Sequence, residues 1–185
     1  GVFALQLNGA AITVEGRKQG ALYAAALQSP PTRSRKPDAG PLREALALFG
    51  LRDDELDPRI QPAHAHGGAD HLVLMLRDRA RLAAMDYDLA AGKILMDKAG
   101  WVTILLGWIE ADSRFHTRNA FASGGVLEDP ATGAATAAFA GYLRDLRWPH
   151  GGAIDIVQGE DMGSRSLLRA EIPPEPGSSI RVSGT

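Results

Sequence analysis

The hydrophobic pattern at the start of the chain predicts a small antiparallel meander. Apolar and polar residues alternate in Val2–Leu7 and again in residues 11–15. Asn8-Gly9 lies between these segments, and this dipeptide is a preferred centre for a tight hairpin turn. Residues 20–27 predict a third short strand. Because three strands leave unpaired edges, we expect the meander to pair with another part of the fold or with a second chain.

Beyond the meander the pattern alternates between helical and extended segments. Residues 32–41 are rich in proline and charge and predict a linker or crossover. Apolar residues then recur at helical spacing in residues 41–49, and Gly50 is typical of a helix end. A second helical pattern covers residues 81–100, with a break expected near Tyr87. Apolar segments predict further strands at residues 71–76, 101–110, 115–121, 154–158, 166–172 and 180–182.

Residues 133–143 predict a helix that is apolar on every side. Alanines dominate this segment, and no charge occurs before Arg144. A helix without a polar stripe is expected to be buried. It should begin close to Pro130, because proline suits the first turn of a helix and disfavours helical conformation in the residue before it. With strands before and after a helix at about residues 131–144, we predict an α+β fold in which a curved sheet or barrel wraps around a buried central helix.

Two carboxylates, Glu128 and Asp129, precede this helix. Its first N–H groups, near Thr132, Gly133 and Ala134, would have no intrahelical partner and would form a positive pocket suited to an anion. A ligand site is one interpretation of this arrangement. The other is that Asp129 or Thr132 simply caps the free amides.

Composition narrows the classes of function. The 185 residues are 45% hydrophobic, enough for a real core, and the net charge of -2 gives no electrostatic footprint for nucleic acid or an anionic membrane. The chain has no cysteine, which excludes disulfides, thiol catalysis and thiolate metal sites. No apolar run reaches the roughly 18 residues needed to span a bilayer. Since no signal peptide is visible, we expect a cytoplasmic protein.

The histidines at positions 64, 66 and 71 raise a metal hypothesis, because imidazoles that are close in sequence can converge on zinc. The His-x-His spacing would place His64 and His66 on one face of a strand. No HExxH or equivalent pattern follows, so we favour polar loop residues over a metal site. The adjacent Gly67-Gly68 would allow close backbone approach to a cleft, and Gly68 is our candidate for substrate contact.

Two motifs resemble a known family. Residues 128–135 read Glu-Asp-Pro-Ala-Thr-Gly-Ala-Ala and are similar to the EDPxTGSA signature of the PhzF-like isomerases of phenazine biosynthesis. Residues 158–166 read Gln-Gly-Glu-Asp-Met-Gly-Ser-Arg-Ser and are similar to the QGxxMGRPS segment of the same family. The spacing between the motifs also fits, and the resemblance covers nearly the whole chain but only part of the family's length.

The resemblance implies a diaminopimelate-epimerase-like fold of two similar domains, with the active site in the cleft between them. On that map, residues 1–36 are the last strands of an incomplete N-terminal domain, and residues 37–185 are the C-terminal domain. Family members isomerise small carboxylic acids by proton transfer, without metal or organic cofactor. Asp129 matches the motif aspartate that assists this transfer. Thr132, Gly133 and Ala134 match the segment that binds the substrate, and Glu128 is expected to face away and support the loop.

Three departures leave two hypotheses open. The family's principal acid/base, a glutamate of the first domain, has no counterpart here, Ala134 replaces the motif serine, and Arg165 is displaced by one residue. The first hypothesis is the C-terminal portion of an isomerase or epimerase that acts with an N-terminal portion, as a homodimer or with that half supplied separately. The second is a non-catalytic relative that binds a small anion or a partner subunit.

Overall fold

The computed structural model describes residues 2–7, 10–19 and 22–185. The strands are β1 (Val2–Leu7), β2 (Ala10–Gln19), β3 (Leu22–Gln28), β4 (Arg33–Arg35), β5 (Ala63–His66), β6 (Asp70–Leu76), β7 (Thr103–Ala111), β8 (Arg114–Ala120), β9 (Glu128–Asp129), β10 (Ala153–Gln158), β11 (Ser166–Glu171) and β12 (Arg181–Gly184). The α-helices are α1 (Ala39–Leu48), α2 (Arg79–Ala83), α3 (Leu89–Ala99) and α4 (Gly133–Asp145).

These strands join into one curled sheet. Its order is β1-β2-β3-β12-β11-β10-β8-β7-β6-β5-β4, and β9 pairs with β8 off this path. In the sequence, only residues 29–32 separate β3 from β4. Along the sheet, these two strands are the ends of a run of nine, β3-β12-β11-β10-β8-β7-β6-β5-β4. Because so short a connection spans at most about 18 Å, the sheet must curl until β3 and β4 approach each other.

Helix α4 fills the inside of this curl. It contacts strands on both sides of the closure, β4 and β5 on one and β11 and β12 on the other. Residues 135–144 are all buried, and Phe139 packs edge-on against Phe115 of β8 with ring centroids 5.0 Å apart. The predicted α+β fold with a curved sheet around a central helix is confirmed. The helix begins at Gly133, two residues later than predicted, because residues 130–132 form a turn.

A second apolar layer covers the outer face of β6 and β7. Leu72, Leu74 and Leu76 point outward into a cluster with α1 and α3, whereas Val73 and Met75 point inward to the α4 core. This double burial explains why β6 reads as a continuous apolar run. The break predicted near Tyr87 is confirmed, since α2 ends at Ala83 and α3 begins at Leu89.

The N-terminal meander pairs within the same sheet. Strands β1, β2 and β3 are antiparallel neighbours, and β3 continues into β12 through backbone hydrogen bonds. The predicted turn at Asn8-Gly9 lies outside the described residues. The prediction of a linker at residues 32–41 is wrong, because the backbone of β4 pairs with β5 and α1 already begins at Ala39. The division into domains at residue 36 stays a prediction.

In the part of the chain that the structure describes, none of the helices has the length and apolar character needed to cross a membrane.

Candidate functional site

Glu128 and Asp129 form the two-residue strand β9 and point in opposite directions. Asp129 lies opposite Asn119 of β8, and Glu128 lies opposite Ala120. Consecutive strand residues project from opposite faces of a sheet. Two carboxylates that are adjacent in sequence therefore have different environments.

Glu128 forms a buried ion pair with Arg118. Its carboxylate accepts two hydrogen bonds from Arg118, at 2.6 Å from Nη2 and 3.0 Å from Nε, and only 6% of its side chain is exposed. Arg118 also donates to the Ala83 carbonyl at the end of α2. The hydrogen bond to Glu128 raises the pKa of Arg118 above its ordinary value. This pair ties the loop before α4 to α2, so the interpretation that Glu128 supports the loop is confirmed.

Asp129 is half-buried at the amino end of α4. Its Oδ2 accepts a hydrogen bond of 2.7 Å from the Thr132 hydroxyl, and its Oδ1 lies 3.4 Å from the Ala131 amide. Neither contact involves an amide of the helix itself. The carboxylate is thus oriented by the turn and remains close to the start of α4.

The first amides of α4 have no side-chain cap. Thr132 occupies the N-cap position, but its hydroxyl turns to Asp129 and makes no capping hydrogen bond to the helix. The ladder begins with Thr136 N–H donating to the Thr132 carbonyl, so the amides of Gly133, Ala134 and Ala135 precede it. The capping alternative left open by the sequence is wrong for these amides. They form a positive helix end of the kind that suits an anion.

A cavity of about 280 Å³ adjoins this helix end and is lined by Ala131 and Gly133. The rest of its lining comes from β2, β3, β11 and β12 and is apolar or carries hydroxyl groups. A Cβ on Gly133 would lie 2.5 Å from Leu27 Cδ2, so glycine leaves room where the helix meets β3. With no charged side chain in this lining, the amides of α4 are the positive element beside the cavity.

Sequence reasoning missed Gln158, the last residue of β10. Its fully buried side chain makes three hydrogen bonds to the turn that carries Asp129: Nε2 donates to the Asp129 carbonyl and the Thr132 hydroxyl, and Oε1 accepts from the Thr132 amide. The one sequence feature that could have pointed to Gln158 is its place as the first residue of the second motif. The contact joins positions 26 and 29 residues apart, which no local pattern reveals.

Gly67 and Gly68 lie in the turn between β5 and β6, beside the first turns of α4. A Cβ on Gly67 would be 2.8 Å from the Ala138 nitrogen, so the absence of a side chain permits close packing on the helix. Gly68 has a φ of +101° and lies against the Pro30 ring. Packing and conformation account for both glycines, and substrate contact by Gly68 stays a prediction.

His64 and His66 share a face of β5, as their spacing indicated, and both contact Asp70. The Nε2 of His64 is 3.2 Å and the Nδ1 of His66 is 2.8 Å from Asp70 Oδ1. Trp101 donates its indole N–H to His64 Nδ1 at 3.1 Å, which leaves Nε2 as the protonated nitrogen of a neutral ring. Across residues 2–7, 10–19 and 22–185, no three side chains are arranged to hold a metal ion.

His71 lies apart from that pair, inside the sheet. Thr103 donates its hydroxyl to Asn119 and therefore accepts from His71 Nδ1, at 2.8 Å, while the buried Nε2 has no partner. Burial lowers the pKa of His71 to about 4, because a second buried N–H would be left unpaired. The ring is neutral and positions polar groups beneath the site.

A larger cavity, about 610 Å³, lies elsewhere, between α1, the loop at residues 53–62 and Tyr142 near the end of α4. Three of its charged groups have partners in the protein: Arg35 contacts Asp38, Arg77 donates to the Leu56 carbonyl, and Asp57 pairs with Arg59. We place the candidate site at the amino end of α4, because the uncapped helix amides and the oriented Asp129 carboxylate occur together there and the smaller cavity adjoins it.

The fold is epimerase-like. The chain belongs to the phenazine biosynthesis-like protein family (PhzC-PhzF), whose family model matches residues 4–185. It is 31% identical, over 172 residues, to the trans-2,3-dihydro-3-hydroxyanthranilate isomerase of Pseudomonas chlororaphis, covering 91% of this chain and 58% of that protein.

Two solved structures have the same fold. A protein described as a predicted epimerase from Pseudomonas aeruginosa superposes with a TM-score of 0.76 at 24% identity, over 99% of this chain and 62% of that one. A PhzF-family protein from Bacillus anthracis superposes with a TM-score of 0.74 at 15% identity, over 100% of this chain and 65% of that one. The chain thus spans less than two thirds of the length of each of these relatives.

Proposed function

We propose that this chain supplies the second-domain half of the active site of a cofactor-independent isomerase or epimerase. The substrate is a small carboxylic acid, and the reaction moves a proton between carbon and an enzyme carboxylate. The observation that carries this proposal is the oriented Asp129 carboxylate beside three uncapped amides of a buried helix. Family membership and the named activity of the Pseudomonas chlororaphis relative support it.

Each group has a role in this proposal. Asp129 accepts or returns the proton, and Thr132 orients it through the 2.7 Å hydrogen bond. The amides of Gly133 and Ala134 bind the substrate carboxylate and stabilise negative charge that develops next to it. Ala134 lacks the hydroxyl of the motif serine but keeps this amide. The second acid/base comes from the portion of the site that this chain does not supply.

The proposal is tested by solvent exchange with the complete gene product. In D₂O, trans-2,3-dihydro-3-hydroxyanthranilate and a panel of small cyclic amino and hydroxy acids are incubated with enzyme and followed by mass spectrometry. At least one acid should gain one mass unit. Asp129→Asn should slow this exchange by about 100-fold or more, because loss of an acid/base group typically costs 10²–10⁴ in rate.

Asp112→Asn is the matched control, because Asp112 is exposed and lies outside the site. It should exchange at the wild-type rate. Equal rates in Asp129→Asn and Asp112→Asn would remove Asp129 from the mechanism. Saturable binding of an acid without any exchange would instead favour the non-catalytic binding module, for which the loss of the motif serine at Ala134 is the structural argument.

A further inference from the structure

Gln158 joins both ends of the turn that carries Asp129. Its side-chain Nε2 is 2.8 Å from the Asp129 carbonyl and 2.9 Å from Thr132 Oγ1, and its Oε1 is 3.1 Å from the Thr132 nitrogen. The partners fix the orientation of the amide, because a backbone N–H only donates and a carbonyl only accepts. The atom facing the Thr132 nitrogen must be the oxygen, and the other must be the NH₂ group.

This orientation determines where the Thr132 hydroxyl hydrogen points. Since Gln158 Nε2 donates to Thr132 Oγ1, the single hydrogen of that hydroxyl is free for another acceptor. The acceptor is Asp129 Oδ2, at 2.7 Å. The hydrogen bonds therefore all run in one direction: Gln158 donates to Thr132, and Thr132 donates to the Asp129 carboxylate.

The next residue, Gly159, allows the backbone after β10 to lie close to the turn that carries Asp129. Gly159 has a φ of +75°, and a Cβ there would lie 2.2 Å from the Ser164 carbonyl oxygen and 2.9 Å from that of Pro130. The backbone after β10 thus packs directly on the turn between Asp129 and Thr132. Arg79 holds the following residues through Glu160 and Asp161, at 3.2 and 3.0 Å.

We infer that Gln158 is a positioning residue for proton transfer, which sets the direction of the Thr132 hydroxyl toward Asp129 and holds the turn at the start of α4. It acts through Thr132 and touches no substrate. This inference rests on the proposed function, but its structural part is measurable without turnover. It assigns a chemical reason to the glutamine of the second motif.

Gln158→Glu tests the direction of the hydrogen bonds. A buried carboxyl tends to stay protonated, and a protonated glutamic acid keeps the acceptor for the Thr132 amide. It has one O–H in place of the two N–H donors of the amide, so it can still donate to Thr132 Oγ1 but gives up the bond to the Asp129 carbonyl. Once ionised it only accepts, so the Thr132 hydroxyl would turn toward residue 158 and away from Asp129. Exchange by this variant should be fastest at low pH and fall by about 100-fold as the pH rises, with no such limb in the wild type.

Two further variants keep the test decisive. Gln158→Met fills the same space without hydrogen bonds and should lose exchange at every pH. Gln61→Glu is the control, because Gln61 is exposed and its side-chain amide donates only to the nearby Pro58 carbonyl. It should keep the wild-type pH profile. A pH-independent loss in Gln158→Glu equal to that in Gln158→Met would overturn the directional role.

Hydrogen exchange of the Thr132 amide separates this inference from the proposed function. In the folded wild type this amide should be protected by Gln158 Oε1, and in Gln158→Met its exchange should accelerate at least tenfold while the α4 amides after Thr136 stay protected. An unchanged Thr132 amide would overturn the inference even if the enzyme is active. An amide that accelerates in Gln158→Met, together with a wild type that turns over no acid, would support the positioning and refute the proposed function.

Discussion

The direction in which a side chain projects gives two neighbouring carboxylates different environments. Glu128 faces outward and is neutralised by Arg118, whereas Asp129 faces the start of α4 and is bonded to the Thr132 hydroxyl. The motif predicts Asp129 as a site residue, and strand alternation explains why its neighbour Glu128 has a different environment. The role of Gln158 was not predictable, because it depends on a tertiary contact between β10 and the turn.

His71 gives a pH dependence of stability with a defined sign. Its pKa is lowered from 6.5 to about 4 by burial, so the folded state binds a proton less tightly than the unfolded state. The contribution of His71 to the free energy of unfolding is therefore fully present above pH 6.5 and is lost as the pH falls toward 4. The largest possible loss from this residue is about 3 kcal/mol.

His71→Gln should remove this contribution. Urea unfolding of both proteins is measured at pH 7, 5.5 and 4.5. At pH 7 the variant should have a lower free energy of unfolding than the wild type, because its bond to Thr103 is altered. On acidification, this free energy should decrease less in the variant than in the wild type. Groups that do not interact with His71, such as Asp57, titrate in both proteins and cancel in the difference. Parallel pH curves for the two proteins would show that His71 does not take up a proton on unfolding.

Elements were predicted best where many residues share one periodicity. The apolar helix α4, the apolar strand β6 and the break near Tyr87 were all predicted, because each depends on a pattern within one segment. The short strand β4 was missed. Its three residues, Arg33, Ser34 and Arg35, carry no strand pattern, and only backbone pairing with β5 makes them a strand.

The β5–β6 turn packs so closely on α4 that adding one methyl group at Gly67 should destabilise the fold. Gly67→Ala should lower the free energy of unfolding by about 1–3 kcal/mol, because its Cβ would lie 2.8 Å from the backbone nitrogen and 3.1 Å from the Cα of Ala138, which a helix cannot readily move. Urea unfolding measures the difference.

Gly40→Ala in α1 is the matched control, since a Cβ there meets nothing within 4 Å. It should leave stability unchanged or raise it by up to about 1 kcal/mol, because alanine favours helix more than glycine does. Equal stabilities for the two variants would contradict the close contact between the turn and the helix.

At the scale of the whole molecule, burial of α4 and closure of the sheet support each other. Arg144, buried near the end of α4, donates to the Thr32 hydroxyl and to Ser178, so it joins the connection between β3 and β4 to the loop before β12. The wrapped sheet was predictable from strands on both sides of an apolar helix. The strand order was not, because the placement of β12 between β3 and β11 depends on contacts across the full length of the chain.

The central claim is that ligands bind at the amino end of α4, and an NMR titration tests it most directly. ¹⁵N-labelled complete gene product is titrated with benzoate, a cyclic carboxylate, and separately with benzamide, its neutral analogue. We expect benzoate to shift the amide signals of Gly133, Ala134 and Ala135 in a saturable way, and benzamide to leave them unchanged. Saturable shifts confined to the larger cavity around Arg35 and Arg77 would contradict the account.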